Sequence, residues 1–166
     1  ELLSELDIIV PELPVQITTE AVGKFSPEEQ FEVVKLVQPE AASVALIEMM
    51  PNIKEPRLAQ NFFNFSIENN IQIQHILYSL EDLKLFKKAI ELKIIPKKNL
   101  QVLYVLGRYD KNFQSKKEDL DTFLEEHKNI VSEIDWGICA FGRAETDCLI
   151  KSNLHGGKVR VGFENN

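Results

Sequence analysis

Only two cysteines, Cys139 and Cys148, occur among the 166 residues, too few for a disulfide scaffold and without the close spacing of a zinc knuckle. They read as reduced core thiols of a cytoplasmic protein, the usual habit of free cysteine. Histidine is equally sparse: His75, His127 and His155 stand far apart, with no His-x-His or His-Glu-x-x-His. Neighbouring residues of this stretch therefore cannot build a multi-histidine metal site. Basic charge is short as well, with 19 Lys+Arg against 26 Asp+Glu and a formal net charge of −7. Without a basic stripe interleaved with aromatics, the chain has no electrostatic footprint for nucleic acid or an anionic membrane. Long apolar runs are missing too. Ile8-Ile9-Val10 and Leu103-Tyr104-Val105-Leu106 fall far below the roughly 18 residues a membrane helix needs. Leu2 to Val10 has no basic leader or small-residue cleavage site, so it is not read as a signal peptide. The opening Glu1 in place of Met leads to the expectation that the chain belongs to something longer.

What is present is a globular composition, 44% hydrophobic and 27% charged, the size of one soluble domain. Short β-branched runs recur at Val15-Ile17, Ala42-Leu46, Ile71-Ile76, Leu100-Leu106, Ile134-Phe141 and Lys158-Phe163. Helical patterns lie between them, and a strand-to-strand step of about 20 to 35 residues is the size of a βα unit. Ser26-Pro27-Glu28-Glu29 carries a capping box with proline at the first helical position. Ser79-Leu80-Glu81-Asp82 and Ser115-Lys116-Lys117-Glu118 are expected to repeat that logic. Three apolar stripes follow with helical spacing: Phe31, Val34 and Val37; Leu83, Phe86 and Ile90; Leu120, Phe123, Leu124, His127, Ile130 and Val131. His127 is expected as a hydrogen-bonded histidine at the core margin. Pro39, Pro96 and Gly156-Gly157 are expected to stop helices. Asn61-Phe62-Phe63-Asn64-Phe65 reads equally as a packed helix face or a subunit contact.

Repeated strand–helix–strand units of this length demand parallel pairing and right-handed crossovers, so the class is α/β. An open doubly wound sheet and a (β/α)8 TIM barrel compete. The absence of Gly-x-Gly-x-x-Gly and of a phosphate-binding loop after any strand favours the barrel.

The most informative stretch runs from Gly156 to Asn166. Alternation along a strand puts Arg160, Gly162 and Glu164 on one face and Val159, Val161 and Phe163 on the other. The second face is expected to pack on helices and the first to point inward. Inward charges must be paired or bound to a ligand. Glu164 would then stand at the carboxyl end of a strand, where barrel enzymes place catalytic groups; a structural Arg–Glu ion pair is the plain alternative.

Gly156-Gly157-Lys158-Val159-Arg160-Val161-Gly162-Phe163-Glu164-Asn165-Asn166 resembles the Gly-Gly-His-(Ile/Val)-Arg-x-Gly-(Leu/Phe)-Glu-Asp-Asn signature of the β-keto acid cleavage enzymes, which include 3-keto-5-aminohexanoate cleavage enzyme. Gln16-Ile17-Thr18-Thr19 and Pro39-Glu40-Ala41-Ala42-Ser43 resemble the family's Gln-(Ile/Val)-(Ser/Thr)-Thr and Pro-Glu-Met-Ala-(Ser/Thr). Val105-Leu106-Gly107 and Trp136 to Arg143 are similar to its sixth and seventh strands. The resemblance implies a barrel enzyme that transfers an acyl group between a β-keto acid and acetyl-CoA by a retro-Claisen route, yielding acetoacetate and a new acyl-CoA. It implies zinc held by Glu164 and by two histidines upstream of this chain, a CoA thioester as cosubstrate, and a homo-oligomer, tetrameric in the family. Arg160 matches the arginine that orients acidic groups, and Thr18 and Ser43 match hydroxyls that contact substrate. Cleavage needs a Lewis acid, oxyanion donors and a proton-moving group.

Several positions depart from the pattern. Asn165, placed with Arg160 as catalytic, stands where the family has Asp, and an amide cannot accept a proton as a carboxylate does. Lys158 replaces His, Glu20 replaces Gly in a loop one residue shorter, Ser43-Val44-Ala45 replaces Ser/Thr-Leu-Asn, and Gln74-His75-Ile76 replaces Glu-x-Glu. Such losses fit either a diverged specificity or a non-catalytic relative kept for ligand binding or assembly. Arg108 and Arg143, just past strands, suit a thioester's phosphates or plain solvated loops. A full barrel takes about 250 residues. Residues 1–166 are therefore expected as a single partial TIM-barrel domain, strands three to eight, lacking the first two βα units and the final helix.

Overall fold

A computed structural model describes residues 2–130 and 133–165; of the residues named above, Glu1, Val131 and Asn166 lie outside them. Strands and helices alternate: α1 (Leu2–Ile9), β1 (Gln16–Thr18), α2 (Pro27–Val37), β2 (Ala41–Ala45), α3 (Leu46–Met49), α4 (Arg57–Glu68), β3 (Gln72–Leu77), α5 (Leu80–Glu91), β4 (Leu100–Leu106), α6 (Asp119–His127), β5 (Ile134–Ala140), α7 (Glu145–Leu154), β6 (Lys158–Val159) and a 3-10 turn at Phe163–Asn165. None of these helices is long and apolar enough to cross a membrane.

The expected helix signals act at most of their sites. Ser26 Oγ accepts from Glu29 N at 3.2 Å while Glu29 Oε2 accepts from Ser26 N at 2.7 Å, a complete capping box. Ser79 caps α5 by accepting from Asp82 N at 3.1 Å. Gly156, at φ +80°, takes the left-handed backbone that follows α7. Ser115 is a correction: it caps nothing. Its hydroxyl donates to Phe141 O at 2.7 Å in a buried position, and α6 begins four residues later at Asp119. The free N–H of Lys116 is taken instead by Asp119 Oδ2 at 2.9 Å. Val37, expected on the buried stripe of α2, is exposed because the helix ends there.

All six strands pair in parallel in the order β1-β2-β3-β4-β5-β6. A doubly wound sheet reverses its strand order at a switch point; this one does not. Its two faces also differ. Val44, Ile73, Leu77, Val102, Tyr104 and Ile138 pack with the buried residues of α2 to α7, including Phe31, Met49, Phe62, Phe86, Leu120 and Cys148. The opposite face holds a small separate cluster of Ala45, Ile76, Leu103, Val105, Cys139 and Phe141, with Tyr78 against it and no helical residue. Among the described residues, helices thus cover one face only. The result is an α/β fold with a six-stranded parallel sheet, compatible with part of a barrel wall, with β1 and β6 at its edges.

Phe62 and Phe63 are buried in α4, edge-to-face with each other at 5.2 Å, so that run is core. His127 Nδ1 lies 2.7 Å from the Tyr104 hydroxyl at the core margin, as expected. Both cysteines are free and buried.

The last strand is the main correction. Pairing stops after Gly137↔Lys158 and Ile138↔Val159, with one further bond from Arg160 N to Ile138 O at 2.8 Å. The chain then turns over the end of β5, where Gly142 N donates to Asn165 O at 2.9 Å. Val159, Val161 and Phe163 do not pack on helices. They are 48%, 69% and 105% exposed, because β6 is an edge and no helix among the described residues follows to cover them.

Candidate functional site

Parallel pairing puts every strand's carboxyl end on one side of the molecule, where the loops must converge. A cavity of about 490 Å³ opens there, lined from β1 through the segment after β6 by residues that include Thr18, Glu20, Ser43, Tyr78, Arg108, Arg160 and Glu164. That volume suits a small-molecule site.

The register brings the two hydroxyl residues together, since Thr18 and Ser43 are direct partners across β1 and β2. The loop after β1 is pinned from below. Thr19 donates through both N and Oγ1 to Ser43 O at 3.1 Å. Buried Gln30 donates through Nε2 to Thr19 O at 2.6 Å and to Glu48 Oε2 at 3.0 Å, and Glu48 also accepts from Ala21 N. Thr18 Oγ1 accepts from Glu20 N at 3.2 Å, which turns Glu20 over the cavity.

On the opposite edge Arg160 Nη2 donates to Glu164 Oε1 at 3.1 Å. The pair forms through the turn after β6 rather than by strand alternation. Both side chains line the cavity yet keep 40% and 58% exposure, so this is a solvated pair whose arginine keeps further N–H donors for a ligand while it holds Glu164.

Asn165 lies apart from these four. It is buried, not a cavity-lining residue, with Nδ2 donating to Glu145 Oε1 at 3.1 Å and Oδ1 accepting from the Cys139 thiol at 3.4 Å. Burial is the chief reason the Cys139 thiol is pushed up from its ordinary value, with Arg160 pulling it the other way. The two loop arginines also part company. Arg108 lines the cavity, faces Glu20 Oε1 at 3.5 Å and sits over the Phe113 and Phe141 rings. Arg143 is exposed outside it.

Sequence reasoning passed over Tyr78, which follows β3 directly and carries its ring to the cavity against Tyr109 at 4.8 Å. Burial first, then the neighbouring Tyr109 phenol and the negative charges of Glu20 and Glu48, raise its hydroxyl well above the ordinary tyrosine value; it stays a neutral donor. Its place one residue beyond an apolar strand was the available signal. At the expected Glu-x-Glu, alternation turns Ile76 into the cavity while His75 faces the helices between Phe63 and Phe86. Lys158, in place of the family's His, pairs with Asp135.

The zinc that the resemblance implies does not fit these residues by themselves. Among the described residues no group of three His, Cys, Asp or Glu side chains could hold a metal ion, and Glu164 stands with a guanidinium rather than with imidazoles.

Against known proteins, the family model described as beta-keto acid cleavage enzyme matches residues 3–166. No curated protein matches the chain.

Proposed function

The chain belongs to the beta-keto acid cleavage enzyme family, and from that premise we propose that the cavity at the strand ends binds a β-keto acid for cleavage by acyl transfer with a CoA thioester. The observation that carries this reading is the convergence of Arg160, Thr18 and Ser43 on one small-molecule-sized cavity at the carboxyl ends of a parallel sheet. A guanidinium suits the substrate carboxylate, since it offers several donors in a fixed planar array. The Thr18 and Ser43 hydroxyls and the neutral Tyr78 phenol supply donors for an oxygen that gains charge when the carbon–carbon bond breaks. Acetoacetate and a new acyl-CoA would be the products with acetyl-CoA. Zinc dependence is part of the proposal and requires imidazole ligands from outside the described residues. The exposed Val161 and Phe163 and the open edges at β1 and β6 support a wall completed by further strands and by oligomer contacts.

In the test, the protein carrying this chain at its natural length is given acetyl-CoA and a panel of β-keto acids. Formation of acetoacetate is expected. Arg160→Gln should lower kcat/KM by about 10²- to 10³-fold with a stability change under about 0.5 kcal/mol, since its ion pair is solvated. No turnover across the panel would remove the reading.

Asn165 favours a second reading, a non-catalytic relative that binds ligand. Its amide is engaged by Glu145 and Cys139 away from the cavity, and an amide there cannot take a proton from substrate. Binding of β-keto acids without turnover would select it.

A further inference from the structure

The strand order sorts the cavity's lining by polarity. Thr18 and Glu20 come from β1 and its loop at one edge of the sheet, and Arg160 and Glu164 from the segment after β6 at the other. Between them the floor is Ala45 at the end of β2, Ile76 on β3, Val105 on β4 and Phe141 just after β5. These four belong to one buried apolar cluster and are each less than 10% exposed. The charges near this floor are already matched. Arg160 holds Glu164, and Arg108 faces Glu20 at 3.5 Å with its guanidinium over two phenyl rings. The second pair joins the loops after β1 and β4, three inter-strand steps of about 4.8 Å apart in a flat sheet. It therefore reaches across the ends of β2 and β3, above Ala45 and Ile76.

Resting on the β-keto acid reading, we infer that this site selects substrates whose side chain, beyond the keto carbon, is uncharged and apolar, with Ile76 at the centre of the surface that receives it. An ammonium laid on the floor would lose its water and meet carboxylates already held by Arg108 and Arg160, and a second carboxylate would meet guanidiniums already engaged by Glu20 and Glu164, so either charge is compensated only by breaking an existing pair. An alkyl chain gains about fourfold in affinity for each methylene it buries.

The experiment measures calorimetric binding of three ligands of equal backbone length to the natural-length protein with CoA thioester withheld: 3-ketohexanoate, 5-amino-3-ketohexanoate and 3-ketoadipate. The aliphatic acid should bind at least tenfold tighter than either charged one. Ile76→Glu should narrow or reverse the difference between the aliphatic and amino acids, with a thermal melt to show that the variant is folded; if it is not, the wild-type series decides alone. Equal or tighter binding of a charged ligand by the wild type overturns the inference. Turnover of the same three acids with acetyl-CoA separates the two claims. Activity confined to a charged acid overturns only the selectivity, whereas absence of both binding and turnover for all three overturns the β-keto acid reading beneath it.

Discussion

Asn165 shows how one atom changes a site without changing its shape. Its Nδ2 donates to Glu145 Oε1 at 3.1 Å, from a buried Asn165 to a half-buried carboxylate. Asn165→Asp would replace that donor with a second anion, and two carboxylates in hydrogen-bond contact, one of them buried, cannot both stay ionised cheaply. The variant should lose about 1–3 kcal/mol at pH 7, less at pH 5 where one carboxyl takes a proton, and most of the loss should return in Asn165→Asp combined with Glu145→Gln. Urea unfolding of the two variants at both pH values checks this; equal losses in both at pH 7 would sink the explanation. The Asn165 amide was legible in the sequence as a departure from the family signature. Its partner was not, because Glu145 lies 20 residues away and meets it only when the turn after β6 folds over β5.

Identical local chemistry led to different elements. Ser79 and Ser115 both precede acidic first turns, but Ser79 caps α5 while Ser115 is buried beneath the end of β5. The second outcome is tertiary: Gly107, at φ +81°, brings its backbone against Ser115, where a Cβ would stand 2.6 Å from Ser115 N. This pulls the serine out of capping position. Ser79→Ala should cost about 1 kcal/mol and speed amide exchange in the first turn of α5. Ser115→Ala should leave α6 protected and loosen the amides around Gly107 and Phe141 instead. Exchange measured residue by residue distinguishes the two; faster exchange at the start of α6 in Ser115→Ala would contradict the burial account. The final strand failed its expected length for a related reason. Alternation in Lys158 to Phe163 is a strand pattern, but pairing ends at Ile138, two residues before β5 does, and the chain is drawn across to Gly142.

Across the whole molecule, the helix-covered face of the sheet carries an acid-sensitive group. His75 is buried between Phe63 and Phe86, and burial lowers its pKa from 6.5 to about 3. Between those values the unfolded chain binds a proton that the folded one refuses. The contribution is full above about pH 6.5 and is lost as pH falls towards 3, at up to about 1.4 kcal/mol per pH unit. His75→Leu should flatten the slope of unfolding free energy against pH between 6.5 and 4. Parallel slopes for wild type and variant would show that the ring titrates in the folded state.

Period-two and period-three-and-a-half patterns, cap residues and the spacing of about one βα unit were enough to determine the α/β class and five of the six strands almost to the residue, and the family was legible in the motif resemblance from Gly156 to Asn166 and at the strand ends. Those signals are local, and local propensity agrees with the fold through most of this chain. Which side of each strand meets helices, that Arg108 reaches Glu20 while Arg143 stays outside, and that Arg160 and Glu164 meet through a turn rather than along a strand were decided by the tertiary structure. Those contacts join residues up to 88 positions apart, and their geometry follows from how the sheet curves and where pairing runs out, neither of which a single strand encodes.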